Sequence, residues 1–267
     1  WRDDMERTVI ERDLAQFGVS ETPGVMRRFW AMVAHYHGQT WNGSEIAATL
    51  GVNDVTARRY LDVLAGAYMV RVLPPWFENV GKRQRRAPKV YLRDSGVLHC
   101  LLGIKDRQAL VSHPKCGASW EGFALEQTLR VVPRAEAYYW AVHSGPEIDL
   151  LLVHRGRRTG VEFKFADAPG LSRSLRTAIV DLKLERLWVV SPGDKRYPLG
   201  DNVEVIPLQH AVAADMQVLV QRLADPSGQP GGAAAAGGAP MILVEPRSNS
   251  LVVRASNPAR LSLIRSI

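Results

Sequence analysis

At 267 residues the chain is long enough for roughly one large domain or two to three small ones. Its hydrophobic content of 46% is that of an ordinary globular protein, and no apolar run approaches the roughly 20 residues of a membrane-spanning helix, so a membrane span is not expected. A net charge of +7 suggests a polyanionic partner, while Cys100 and Cys116 sit in no metal-ligand spacing and point to a reduced, cytoplasmic compartment.

No signal peptide is visible, and the chain starts at Trp1 rather than Met, which reads as a piece of something longer. Residues 1–22 are short and charged, and 8–14 read as the end of a helix belonging to a preceding domain. No G-x-x-x-x-G-K-[ST] occurs, so no P-loop and no nucleotide-binding residues are expected.

Residues 23–105 open on an apolar helix over 25–33. The next helix takes Ser44 as its N-cap and Gly51 as its stop. A further helix begins at Asp54. Ala47, the glycine of the turn, Val55, Leu61 and Leu64 give the pattern of a helix-turn-helix, with Arg58 and Arg59 on the exposed face of its second helix. Residues 69–73 and 89–94 read as two strands, together the wing of a winged helix. Between 79 and 93 lie six basic residues and no acid. Arg58, Arg59, Lys82, Arg83, Arg85, Arg86 and Lys89 are therefore candidate contacts to a duplex phosphate backbone. The plainer reading is a protein-docking fold whose basic loop is a solvated face.

Residues 106–208 alternate strands and helices, which predicts an α/β domain around a mixed sheet. Trp120, Phe123, Leu125 and Leu129 form the core stripe of a helix. A strand over 137–142 leads into a hairpin turning at 154–160, and later strands cover 187–191 and 203–206. His143 reads as structural. Asp149 is an acidic residue ending one strand, and Glu162 and Lys164 project the same way from the next. Charges among so many apolar neighbours are costly unless they pair or hold a metal. Asp149 and Glu162 could share a Mg²⁺ ion, and Lys164 could orient the attacking water or stabilise the pentavalent phosphate. The alternative is a solvated Glu162–Lys164 pair of little energetic value.

This hairpin resembles the PD-(D/E)xK phosphodiesterase superfamily. The resemblance implies a restriction-endonuclease-like sheet and an acidic residue on the helix before the hairpin, where Glu121 fits. It also implies a catalytic set of Glu121, Asp149, Glu162 and Lys164, with Asp149 and Glu162 holding Mg²⁺. A winged helix followed by Trp-Glu-x-Phe, Pro-Glu-Ile-Asp-Leu and Val-Glu-Phe-Lys is similar, over about residues 8–208, to the C-terminal half of a family of prokaryotic AAA-like ATPases. That family places a P-loop domain ahead of this half, which implies an ATPase partner and a DNA-linked role. Two functions follow: Mg²⁺-dependent hydrolysis of DNA, or an inactive nuclease fold that binds DNA or protein for the ATPase.

The tail, 209–267, reads as a helix over 211–223, a Gly/Ala/Pro linker over 228–240, two short strands joined by a turn and a last helix over 258–267. Residues 247–253 and the helix after them resemble the periplasmic ring domains of type II secretion secretins, over about 203–267. A fused reading frame is the simplest account of this incomplete α/β piece, and a natural accessory domain is the other.

Overall fold

The computed structural model describes residues 23–79, 81, 84–132, 134–143, 145–208, 241–245 and 250–254. The helix end expected at 8–14, Lys82, Arg83, the helices over 211–223 and 258–267 and the linker lie outside the described residues. The chain divides into two compact units, Trp1–Leu208 and Gln209–Ile267.

In the first unit, α1 (Pro23–His35) buries Met26, Phe29, Trp30, Val33 and Ala34, a three-and-four spacing that gives it one apolar face. A short strand, β1 (Gln39–Thr40), leads to α2 (Gly43–Leu50) and α3 (Asp54–Gly66). Asn42, not Ser44, caps α2: its side chain accepts from the Glu45 amide. Ser44 lies inside the first turn and donates to Asp54 at 3.0 Å. Gly51 ends α2 in the left-handed region, φ 72°, with its N–H returned to the last turn. On α3, Ala57, Tyr60, Leu61 and Leu64 are buried. Val55 is 78% exposed and takes no part in that core. Two residues before Ala57, it stands about 200° round the helix.

Strands β2 (Val70–Leu73) and β3 (Lys89–Leu92) pair antiparallel, with β1 on the other side of β3. The connection between them is not a free wing loop but a strap laid along β4 (Glu136–Ala141). Trp76 and Arg85 donate backbone N–H groups to Tyr139 and Ala141 at 2.7 and 2.9 Å, and Gln84 bridges to Val142. The Tyr139 hydroxyl donates to the Ala87 carbonyl. A strand edge carries unpaired backbone groups, and the strap satisfies them.

Helices α4 (Ser95–Leu101), α5 (Arg107–Ser112) and α6 (Cys116–Val131) precede β4, β5 (Glu147–His154) and β6 (Arg157–Phe163). After α7 (Arg173–Leu182) come β7 (Arg186–Ser191), β8 (Tyr197–Gly200) and β9 (Val203–Pro207). The six strands make a mixed sheet in the order β4-β5-β6-β7-β9-β8. The hairpin pairs antiparallel, while β6, β7 and β9 run parallel, the first crossover being made by α7. The expected α/β class is therefore found. One face of the sheet packs Ile148, Leu151, Leu187 and Val189 on Leu175, Ala178 and Leu182 of α7. The other packs Leu150, Val161, Phe163 and Val190 on Ala124 and Leu125 of α6, together with Leu73 and Tyr91 of the first sheet.

In the second unit β10 (Met241–Glu245) pairs antiparallel with β11 (Ser250–Arg254). Among the described residues no helix is long and apolar enough to cross a membrane. Cys100 and Cys116 form no disulfide.

Candidate functional site

The hairpin is irregular where its acid stands. Tyr138 pairs with Leu151 and Trp140 with Ile148, so Asp149 and Leu150 together oppose Tyr139. This is a β-bulge, and it re-aims side chains. A regular strand would put Ile148 and Leu150 on one face, yet Ile148 joins the α7 side and Leu150 the α6 side. Asp149 lies near the start of β5 rather than at its end. There β5 and β6 leave their ladder, and Asp149 Oδ2 accepts from the Phe163 amide at 3.0 Å. Because the strands are antiparallel, the start of β5 meets the end of β6, which carries Glu162. Lys164 follows two residues later on the same side, its Nζ 2.5 Å from Glu162 Oε1.

Glu121 arrives from α6. The helix approaches closely because residue 122 is glycine: a Cβ there would lie 2.3 Å from His37 Nε2. His37 is buried and fixed at both nitrogens. Nε2 is 3.0 Å from the Ala118 carbonyl, and Nδ1 accepts from the Leu92 amide at 2.9 Å. Burial pushes its pKa down to about 4, so the ring is neutral and ties α6 to β3. Farther along α6, buried Glu126 takes Arg71 of β2 and Arg93 just past β3, which fastens α6 to that sheet again.

The structure thus brings Glu121, Asp149, Glu162 and Lys164 together, and it adds Lys89, Glu147 and Tyr91. Lys89 is only 5% exposed. Its Nζ lies 3.1 Å from Glu121, 3.4 Å from Asp149 and 2.5 Å from Glu147, and 5.6 Å from the centre of the Tyr139 ring. Tyr91 donates to Glu121 at 2.6 Å. The expectation that Lys89 contacts a duplex backbone is corrected here: β3 inserts it into the carboxylates, which desolvate and neutralise it. Burial opposes its charge, yet Tyr91, Asp149, Glu121 and Glu147 hold it well above the ordinary lysine value.

Four carboxylates face two lysines, and the imbalance appears as proton affinity. Glu121 is raised to about 7, first by burial and then by the Asp149 charge, against the pull of Lys89 and Tyr91. Glu162 is raised to about 8 by burial and Asp149, with Lys164 opposing. The second oxygen of Glu162, Oε2, is buried with no hydrogen-bond partner among the described residues. Such an atom is normally paired. No group of three or more His, Cys, Asp or Glu side chains among the described residues is disposed to hold a metal ion. A Mg²⁺ site, however, needs only one or two carboxylates and keeps several waters. The pair Asp149 and Glu162, with its unsatisfied oxygen, fits that requirement.

The other basic candidates stand elsewhere. Arg58 and Arg59 are exposed on α3, where Arg58 pairs with Asp62 at 3.0 Å. Arg85 and Arg86 are exposed on the strap. Lys82 and Arg83 lie outside the described residues. His143 follows the end of β4 and lines a cleft with Arg85 and Arg86. Lys89 left one trace in the sequence: it opens a strand, Lys-Val-Tyr-Leu, whose other members are all core types. Glu147 left another, standing two before Asp149 on one strand.

Family models match three stretches of the chain. Residues 1–108 match a domain of unknown function (DUF8612), and residues 116–211 match another (DUF4143). Residues 203–267 match the bacterial type II/III secretion system short domain, in line with the secretin resemblance of the tail. The last two matches overlap over β9, whose backbone pairs with β7 in the first unit. The chain is 53% identical over 207 residues to an uncharacterized protein of Mycobacterium tuberculosis, and equally to one of Mycobacterium bovis. Each alignment takes in 78% of this chain and 47% of the relative, so the chain spans about half the length of the curated relatives it matches. No solved structure matches it.

Proposed function

We propose that residues 23–208 form a winged helix and a PD-(D/E)xK-type nuclease domain that hydrolyses phosphodiester bonds of DNA, as the cytoplasmic accessory half of an AAA-like ATPase. The observation that carries this reading is the convergence of buried Asp149 and Glu162 with half-buried Glu121 and the more exposed Lys164, the Oε2 of Glu162 having no partner among the described residues. A buried carboxylate oxygen lacking a partner costs free energy unless a proton or a cation meets it. Asp149 and Glu162 would hold Mg²⁺, which polarises a phosphoryl oxygen and lowers the pKa of a bound water. Lys164, which lies beside Glu162, would donate to the charge that develops on a phosphoryl group. Glu121, with a pKa of about 7, can hold or release a proton near neutral pH.

A second reading has its own observation. Lys89 already supplies a cation to Glu121, Glu147 and Asp149, and a cluster neutralised in that way can be a binding module without chemistry. Two measurements separate the readings. Calorimetry with Mg²⁺ or Mn²⁺ should show heat in the wild type that Asp149→Ala loses. Lys164→Ala should then reduce nicking of plasmid DNA by about a hundredfold or more while metal heat and DNA binding persist. Wild-type protein that takes up the ion but nicks no substrate leaves the binding module as the function.

A further inference from the structure

A cleft of about 650 Å³ opens between the strap and the end of β4, lined by Thr40, Phe77, Arg85, Arg86 and His143 among others. None of the described side chains that line it is acidic. Arg85 and Arg86 project from backbone that is tied down on both sides, at Ala141 and through Ala87 to Tyr139. Their guanidinium groups are therefore presented from a fixed edge and not from a mobile loop. Phe77 is 55% exposed at the cleft. The cleft adjoins the carboxylate cluster. Thr40 pairs with Lys89 across the β1–β3 ladder, so the two side chains leave the same face of that sheet. Tyr139 links the two places as well, its hydroxyl on Ala87 and its ring under Lys89.

We infer that this cleft binds an unpaired nucleic-acid strand, with phosphates on Arg85 and Arg86 and a base stacked on Phe77. A volume of this size suits a ligand of nucleotide dimensions and is far too small to admit a duplex. An exposed aromatic ring beside fixed cations is the pairing that single-strand sites use, because every unstacked base offers a π-face. The inference rests on the nucleic-acid part of the function above and names its substrate as a frayed, flapped or single-stranded segment. It does not depend on cleavage.

The test is fluorescence anisotropy of a labelled short oligothymidine and a duplex of equal length, with EDTA present so that no hydrolysis intervenes. The wild type binds the oligothymidine more tightly than the duplex. Phe77→Ala weakens oligothymidine binding roughly tenfold or more and leaves duplex binding unchanged, while Phe77→Trp retains it. Arg85→Ala with Arg86→Ala weakens binding and flattens its salt dependence. Thermal melts of the same variants confirm the fold, which an exposed ring should scarcely affect. Equal affinity for both probes, no binding of oligothymidine, or an unchanged Phe77→Ala overturns the inference. Failure of nicking with Phe77-dependent strand binding intact removes the hydrolase reading alone. Nicking of plasmid DNA alongside oligothymidine binding that is indifferent to Phe77→Ala removes this inference alone.

Discussion

Helix α3 and strand β3 both carry basic residues that the sequence groups as nucleic-acid contacts, and the fold treats them in opposite ways. Arg58 faces water and pairs with Asp62 one turn on; the two side chains are 50% and 58% exposed. Lys89 sits under the sheet with carboxylates of three different residues within 3.4 Å. Two unit charges at 4 Å interact by about 1 kcal/mol in water and by about 4 kcal/mol at the effective dielectric of a protein site. The difference teaches that a count of basic residues measures the field of the whole chain and not the role of any one. Burial turns Lys89 into an internal counter-ion, and exposure keeps Arg58, Arg85 and Arg86 available to an anion.

The sharpest way to break that comparison is Lys89→Met. It leaves Glu121, Glu147 and Asp149 without their cation, and stripping one partner from a buried ionic cluster costs about 3–5 kcal/mol. Urea unfolding at neutral pH should show that loss, and Mg²⁺ or mild acid should recover more of it in the variant than in the wild type. An unchanged midpoint would mean that Lys89 is not the counter-ion described here.

A smaller effect comes from the protons that the carboxylates hold. Glu121 and Glu162 keep their protons in the folded protein up to about pH 7 and about pH 8, against 4.5 as an ordinary carboxyl. The folded state then binds more protons than the unfolded chain, and stability falls as pH rises through that interval. His37 acts the other way: lowered to about 4 from 6.5, it adds stability that is complete above 6.5 and lost as pH falls. Above pH 6.5 the histidine contribution is complete and the carboxylates still titrate. There, without divalent ions, stability should decline by on the order of 2 kcal/mol toward pH 8 and beyond. Glu162→Gln should flatten the decline, and a wild-type curve that rises through this range would contradict the cluster's electrostatics.

The smallest effect sharpens the other side of the comparison. Arg58→Ala removes an exposed pair between residues four apart, so unfolding should shift by no more than about 0.5 kcal/mol. A shift comparable to that of Lys89→Met would erase the distinction between the two regions.

Local pattern determined much of this. Period-two alternation placed Glu162 and Lys164 on one side of a strand, and apolar flanks made a hairpin, because both depend on neighbours in sequence; its turn is only Arg155 and Gly156, tighter than the expected 154–160, since His154 pairs with Arg157 and 157–160 join β6. The same holds for α3, whose buried face follows the helical period, and for the α/β class, which follows from alternating elements. The missed details within those elements were local too: Asn42 displaced Ser44 as a cap, and the face of α3 passed Val55 by.

Only tertiary structure decided the membership of the site. Lys89 reaches Asp149 across 60 residues and Glu121 across 32, distances over which no periodicity carries information. The bulge at Asp149 and Leu150 depends on β4, a partner strand that the motif does not contain. The strap that fixes Arg85 and Arg86 exists because the edge of β4 needed hydrogen bonds, and the sequence presents those residues as a basic loop. A side chain's charge belongs to its sequence, whereas its solvent and its counter-charges belong to the fold, and those two quantities separate a buried counter-ion from a phosphate contact.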